Sequence, residues 1–444
     1  MRRMHARTLI LTALASLGLA FSAVTPATAQ ASVATTTTPF VSFNTFINET
    51  AASTYATYAV RDTAATRPTE PAFNQMRSYI LNLYQGVEVV HSYSSDSGYF
   101  DCVTENTQPS VRDLAIHHIA TPPAPSGNAR AAKAQATVTG TLLGRGLHDA
   151  YGNAIACPTG TIPMRRLTLD QMTKFPTVAA YMAKGPSSVE GTVPSSQPLD
   201  VGAGHRYAYG LQSILNYGGN SFINDWNPSA TFSLSQQWNV NGSGSGTQTA
   251  EGGWIMYPAH FEFQSVLFIY YTPNDYTSGC YNLECSGFVQ TSNAVGLGSS
   301  FVDYSIQGGQ QYGFQMQYKY YNGNWWMFMN STAIGYYPAS VYGSGPMSQN
   351  SDLIEYGGET YSPDDDWGEM GSGDWADGGY THAAFQNSIF YIPSNENGGT
   401  NGVYATLTPE QPDPACYTFL YIPAQAGGSN GTSFYFGGPG SDDC

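Results

Sequence analysis

Basic residues are scarce in this chain of 444 residues, and its second half has almost none. The sequence holds 16 Lys and Arg residues against 32 Asp and Glu residues, so the formal net charge is −16. Residues 203–444 contain 20 acidic residues but only two basic ones, Arg206 and Lys319. Proteins that bind nucleic acid need clustered Lys and Arg side chains to neutralise phosphates. The composition therefore argues against a nucleic-acid partner.

The motifs of several enzyme classes and metal sites are also missing. The chain has no Cys-x-x-Cys pair and no His-Glu-x-x-His segment, which argues against the common zinc sites. Residues 427–431 match Gly-x-Ser-x-Gly in their letters, but they lack the strand-to-helix context of a serine hydrolase. The acidic run at residues 364–366 lacks the spacing of a calcium-binding loop. We therefore expect no metal and no cofactor.

No apolar run reaches about 18 residues, the length at which a transmembrane helix is expected. The N-terminus instead combines three arginines within the first seven residues with a short apolar run, residues 8–21. A small-residue segment, Ala27-Thr28-Ala29, follows this run. This order predicts a secretory signal peptide over residues 1–29. We therefore expect a secreted protein without a membrane partner.

Six cysteines, an even number in an exported chain, favour disulfide bonds. Many connectivities are open to six cysteines, and sequence alone does not choose among them. Proximity along the chain favours the pairs Cys280–Cys285, Cys416–Cys444 and Cys102–Cys157.

The first half of the chain has mixed local patterns. Residues 30–65 show little periodicity and indicate a leader or a loosely ordered segment, whereas residues 71–84 have the apolar spacing of a helix. Alternation over residues 87–93 predicts a strand. Residues 122–140 are rich in Pro, Ala, Ser and Gly and predict a flexible insert. Together these patterns predict a small α+β domain over residues 30–184.

A change of pattern near residue 204 predicts a second domain. Residues 183–204 are rich in Gly, Pro and Ser, which indicates a linker. From residue 205 to 444, short aromatic and β-branched runs alternate with turn residues about every 8 to 12 positions. This spacing predicts an all-β domain, an antiparallel β-sandwich. The predicted strands include residues 231–240, 254–257, 266–271, 287–290, 312–321, 325–329 and 385–392.

Two glutamates stand in glycine-rich, aromatic-flanked segments of this second half, Glu251 in Ala-Glu-Gly-Gly-Trp and Glu359 in Glu-Tyr-Gly-Gly-Glu. Two carboxyl groups in one cleft cannot both ionise easily, so one can act as a general base while the other donates a proton. Strand alternation places Trp254 on the face opposite Glu251, and it places Glu355 on the same face as Glu359. The alternative is that these glutamates only accept hydrogen bonds from backbone amides.

Several ordered motifs carry a family resemblance. In the second half they are Ser235–Gly242, Glu251–Trp254, Gly279–Thr291, Gly323–Trp326, Gly335–Pro338, Tyr356–Glu359, Met370–Gly373 and Tyr435–Gly440. In the first half they are Phe100–Val103 and Cys157–Arg166. On these motifs the second half resembles the neprosin family of glutamic endopeptidases, and the first half resembles the activation domain of that family.

The resemblance implies a zymogen whose prodomain covers the cleft as an intramolecular inhibitor and is removed in acid. It implies a catalytic pair formed by Glu251 and Glu359, with Glu355 as the reserve for the second position. It further implies cleavage of polypeptides after proline, at acidic pH and without a metal. The candidate substrate-binding residues are Gln236, Trp238, Trp254 and Tyr356.

Two other functions remain open from the residues alone. Two carboxylates among many aromatic side chains also fit a glycoside hydrolase, in which Trp325 and Trp326 would stack on a sugar ring. A non-catalytic carbohydrate-binding β-sandwich would need the glutamates only as hydrogen-bonding groups.

Overall fold

Antiparallel strands make up most of the regular secondary structure of the protein, described here by a computed structural model. It describes residues 39–61, 68–127, 136–185, 204–362, 366–396, 401–425, 431–441 and 444. The predicted signal peptide, most of the predicted linker, most of residues 427–431, and Asp364 and Asp365 lie outside the described residues. All elements below belong to one unit, Val41–Cys444, so the predicted domain boundary near residue 204 stays a prediction.

The helices are short, and most precede the sandwich. They are α1 (Phe43–Ala52), α2 (Tyr55–Arg61), α3 (Glu70–Leu83), α4 (Pro109–Asp113), α5 (Leu169–Met172), α6 (Val178–Met182) and α7 (Pro258–Phe261). The Thr69 side chain caps α3 at its N-terminus, and Phe73, Met76 and Ile80 are buried on one face. The predicted helix over residues 71–84 is thus confirmed, whereas α1 and α2 form where a loosely ordered segment was predicted. Among the described residues, no helix is both long and apolar enough to cross a membrane.

The strands form one small sheet and two large ones. They are β1 (Val89–Ser95), β2 (Gly98–Thr104), β3 (Thr137–Val138), β4 (Thr161–Arg165), β5 (His205–Asn216), β6 (Gly218–Asn224), β7 (Ser233–Asn241), β8 (Gln248–Met256), β9 (Val266–Thr272), β10 (Cys280–Tyr281), β11 (Val289–Gln290), β12 (Tyr312–Tyr321), β13 (Asn324–Met329), β14 (Thr332–Pro338), β15 (Ser351–Tyr361), β16 (Ala384–Tyr391), β17 (Val403–Tyr404), β18 (Thr408–Glu410), β19 (Thr418–Ile422) and β20 (Ser433–Gly437).

The two large sheets form the predicted antiparallel β-sandwich. One has the strand order β10-β9-β8-β7-β15-β5-β18, and the other has the order β11-β14-β13-β12-β6-β16-β20-β19, with β17 beside β16 and β3 beside β12. Contacts between the sheets include the Trp254 indole, which donates to the Asn224 carbonyl over 2.8 Å, and the Tyr318 hydroxyl, which donates to the Glu251 carbonyl over 2.7 Å. The sandwich therefore buries one face of the sheet that carries Glu251.

The first half of the chain packs closely on the sandwich. Strand β3 pairs in parallel with β12. The Gln317 side-chain amide makes two hydrogen bonds of 2.8 Å with the main chain of Ser126, and Lys319 Nζ donates to the Ala124 carbonyl over 3.0 Å. The described parts of residues 122–140 are thus held against the second sheet, although their composition predicts a flexible insert. A Pro- and Ala-rich segment can be fixed by main-chain hydrogen bonds that composition does not reveal.

The cysteines pair as Cys102–Cys157, Cys280–Cys285 and Cys416–Cys444. These are the pairs that proximity along the chain favours. The first bond lies within the region before the sandwich, and the other two lie within the sandwich, so none of them links the two regions.

Replacing Trp254 with Ala should destabilise the protein by about 3–5 kcal/mol, because the side chain is fully buried between the sheets. The free energy of unfolding in urea measures this. Phe263→Ala is the matched control, since that ring is 80% exposed and its loss should change the free energy of unfolding little. A Trp254→Ala protein as stable as the control would contradict this placement.

Candidate active site

Three glutamates share the face of the first large sheet that points away from the second sheet. Glu251 on β8 lies directly opposite Trp238 on β7, and Trp238 lies directly opposite Glu355 on β15. Residues opposite each other in antiparallel strands place their side chains on the same face. Glu359 lies four residues beyond Glu355, so it also shares this face. The three carboxyl groups are buried, with exposures of 0% for Glu251, 5% for Glu355 and 2% for Glu359.

A lysine from the first half of the chain bridges two of the three glutamates. Lys184 Nζ lies 2.7 Å from Glu251 Oε2 and 3.0 Å from Glu359 Oε2. The lysine side chain is only 6% exposed. Burial alone would lower the pKa of Lys184, but the negative charges of Glu251 and Glu359 raise it above its usual range. The lysine is therefore charged, and its ammonium group lies between the two carboxylates.

Helix α6 brings this lysine to the site. The Thr177 side chain caps the N-terminus of the helix, and the ring of Tyr181 stacks on the His260 ring of α7 at 4.2 Å. The backbone becomes extended at Ala183, directly after the helix, and this directs Lys184 toward the sheet. Gly185 follows with a φ of +75°, and a Cβ there would lie 3.2 Å from the rings of His205 and Phe232. Glycine suits this position because it adopts a positive φ and adds no side chain.

Side chains of the sandwich bind the second carboxylate oxygen, Oε1, of both Glu251 and Glu359. Glu251 Oε1 accepts hydrogen bonds from the Thr249 hydroxyl at 2.6 Å and from the Tyr276 hydroxyl at 2.8 Å. Glu359 Oε1 lies 2.9 Å from His205 Nδ1 and accepts a hydrogen bond from the Tyr207 hydroxyl at 3.4 Å. Both Oε2 atoms therefore face the same point, which Lys184 Nζ occupies.

Glu359 and Glu355 have opposite electrostatic surroundings. Burial alone would raise the pKa of Glu359, but the Lys184 charge and His205 lower it to about 2. Burial raises the pKa of Glu355 to about 7, the charge of Glu251 adds to this effect, and Lys184 opposes it. No described residue donates a hydrogen bond to the Glu355 carboxyl group, which the Trp238 side chain separates from Glu251. One face thus carries a carboxylate and a neutral carboxyl group at mildly acidic pH.

Two of the four predicted substrate-binding residues lie at this site. Gln236 Nε2 donates to Glu251 Oε2 over 3.1 Å, and the Trp238 ring centroid lies 5.2 Å from Lys184 Nζ. Trp254 and Tyr356 lie on the opposite face, in the core between the sheets, where the Tyr356 hydroxyl donates to the Phe390 carbonyl. The period of two along a strand separates them from the glutamates. They do not line the face that carries the site.

Sequence reasoning missed Lys184, His205 and Tyr276. Tyr276 lies beyond strand β9, and its ring centroid is 5.5 Å from Lys184 Nζ. One signal was available for the lysine, because Lys184 is the last cation before a half with 20 acidic residues and only two basic ones. Among the described residues, no group of three or more His, Cys, Asp or Glu side chains is placed to hold a metal ion.

Comparison with known proteins places these residues in a recognised domain. The family model described as Neprosin matches residues 229–439, which include all three glutamates. A distant likeness links the fold to a scytalido-glutamic peptidase solved with a transition state analog inhibitor, at 7% identity and a TM-score of 0.27 over 53% of this chain and 98% of that chain. A second distant likeness links the fold to the β-porphyranase BpGH16B of Bacteroides plebeius. The two share 11% identity, with a TM-score of 0.20 over 34% of this chain and 55% of that chain.

Replacing Glu355 with Gln should change how stability depends on pH. The folded-state pKa of about 7 exceeds the usual value of 4.5, so the stability that this group contributes is complete below pH 4.5 and is lost as the pH rises toward 7. The wild-type protein should lose on the order of 3 kcal/mol over this range relative to the variant. Urea unfolding at several pH values measures the difference.

The exposed Glu88 offers a control, because Glu88→Gln removes the same charge without affecting a buried group. Equal pH dependence in the Glu355→Gln and wild-type proteins would contradict the burial effect at Glu355.

Proposed function

Because the chain belongs to the Neprosin family, we propose that it is a secreted, acid-active glutamic endopeptidase made as a zymogen. Glu251 and Glu359 form the catalytic pair that activates water for attack on a peptide bond. One observation carries the proposal: the Oε2 atoms of these two glutamates converge on a single atom, Lys184 Nζ. Family membership supports the glutamic type of peptidase.

The anchored carboxylates supply the geometry for this reaction. With each Oε1 held by neighbouring side chains, a water molecule in place of the ammonium group would contact both Oε2 atoms. Without the lysine, two carboxylates this close share a proton, since they cannot both ionise easily. The ionised partner takes a proton from the water, and the protonated partner donates to the carbonyl oxygen and later to the leaving amine. The buried surroundings strengthen these interactions relative to water.

The zymogen proposal rests on the same lysine. While Lys184 pairs with Glu251 and Glu359, its ammonium group excludes water and substrate from the point between them. The folded-state pKa of Glu359 lies below its usual value, so this ion pair is fully formed above pH 4.5 and is lost as the pH falls toward 2. Acid thus weakens the contact that blocks the site. Cleavage of the chain after Lys184 would then free the site.

The aromatic side chains beside the catalytic pair suit a preference for proline in the substrate. The Trp238 and Tyr276 rings flank the end of the Lys184 side chain. Flat aromatic rings beside the catalytic pair offer an apolar surface of the kind on which a pyrrolidine ring packs. The rings that a glycoside hydrolase would need are elsewhere, since Trp325 and Trp326 are both buried with exposures of 0%.

Glu251→Gln and Glu359→Gln should each remove nearly all peptidase activity, by about 10²–10⁴-fold, because neither amide can exchange a proton in the reaction. The assay is cleavage of a proline-containing peptide at pH 3–5 by acid-treated full chain, with release of reducing sugar measured in parallel. Glu355→Gln serves as the comparison, since Trp238 separates Glu355 from Glu251. Full activity in the Glu359→Gln protein, together with loss in Glu355→Gln, would move the second catalytic role to Glu355.

Lys184→Met should release the site without acid. The substitution keeps an unbranched side chain and removes the charge, so the uncut protein should cleave the peptide at pH 5 at least about tenfold faster than the uncut wild type. Lys174→Met is the matched control because Lys174 is exposed. An uncut Lys184→Met protein that stays as inactive as the control would show that this lysine does not impose latency.

A further inference from the structure

The five residues that end at Gly185 contact the site face through their main chain as well as through Lys184. The Tyr270 hydroxyl donates to the Met182 carbonyl over 3.3 Å. The Tyr281 hydroxyl accepts a hydrogen bond from the Gly185 amide over 3.1 Å. These two contacts lie on either side of Lys184 in the sequence, and neither depends on a side chain of the bound segment.

The two tyrosines extend the row of side chains that contains Glu251. Tyr270 on β9 lies directly opposite Glu251 on β8, and Tyr281 on β10 lies directly opposite Tyr270. The row therefore runs from Glu251 to the β10 edge of the sheet on one face. Both tyrosines are buried, with exposures of 0%, so their hydroxyl groups have little access to water while the segment is bound.

We infer that Tyr270 and Tyr281 bind the main chain of the polypeptide substrate once the segment around Lys184 has left. This inference rests on the proposed function. The tyrosines are substrate-positioning residues and take no part in proton transfer. Because their partners are a carbonyl and an amide, the two hydrogen bonds are independent of substrate sequence, and selectivity is left to the side-chain contacts at Trp238 and Tyr276.

The energetic reason is the satisfaction of buried polar groups. Departure of the segment removes the partner that each hydroxyl has among the described residues and opens both hydroxyl groups to water. A substrate that covers them again must supply partners of its own, because a buried polar group without a partner costs free energy. An extended polypeptide crossing Glu251 restores both hydrogen bonds. Burial raises the pKa of both tyrosines, so both hydroxyl groups keep their protons across the acidic and neutral range.

The test uses acid-treated full chain with Tyr270→Phe or Tyr281→Phe, each of which removes one hydroxyl group and keeps the ring. Tyr271→Phe is the matched control, because Tyr271 is adjacent on β9, faces the opposite side, and its hydroxyl lies 4.0 Å from Cys285 Sγ. Two substrates are compared, a proline-containing peptide of about eight residues and a minimal blocked dipeptide. Urea unfolding shows that each variant is folded.

For the long peptide, each of the two test variants should raise KM about two- to tenfold and leave kcat within about twofold, as expected for the loss of one hydrogen bond. For the minimal substrate, KM should equal that of the control, because the substrate is too short to reach both hydroxyl groups. KM values for the long peptide that match the control in both variants would overturn the inference while leaving the peptidase intact. A wild-type protein that cleaves no peptide would overturn the proposed function, and the inference with it.

Discussion

The ammonium group of Lys184 between two carboxylates is the interaction on which the rest of the site depends. Burying Glu251 and Glu359 together without a counter-charge would be costly, because like charges repel strongly where water is excluded. The sandwich holds the outer oxygen of each carboxylate with its own side chains, and the first half of the chain supplies the cation for the inner oxygens. The charges of the two carboxylates are thus balanced by the Lys184 ammonium group that lies between them. In the function that we propose, the ammonium group occupies this point in the latent protein and a water molecule occupies it during catalysis.

This arrangement relates the uneven distribution of charge along the chain to the site. The second half is strongly acidic, and the cation that neutralises its site is contributed by the first half. Glu359 lies beside that cation and has a lowered pKa, whereas Glu355 lies on the far side of Trp238 and has a raised one. The two shifts have opposite signs because Lys184 and His205 together outweigh burial at Glu359, whereas Lys184 does not outweigh burial and the charge of Glu251 at Glu355. Protonation of Glu359 near pH 2 therefore weakens the Lys184–Glu359 ion pair, whereas Glu355 is already neutral at mildly acidic pH.

Much of this fold was predictable from local sequence, and the site only in part. Regular spacing of aromatic runs predicts the β-sandwich, and the spacing of Phe73, Met76 and Ile80 predicts α3. Period-two alternation correctly places Glu355 and Glu359 on one face, and the same rule separates Tyr356 from them. The contact of Lys184 with two strands that are distant in sequence could not be predicted, because no local pattern encodes such pairings. The attachment of Ser126 to Gln317 was missed for the same reason.

The most direct measurement of the central claim is the titration of the Glu359 carboxyl carbon by ¹³C NMR, with the signal assigned by its loss in Glu359→Gln. In the uncut wild-type chain this signal should keep the chemical shift of a carboxylate down to about pH 4 and titrate near pH 2. In uncut Lys184→Met protein the midpoint should rise by at least about one pH unit, because burial would no longer be opposed by the ammonium charge. The same midpoint in both proteins would contradict a lysine-bridged glutamate pair.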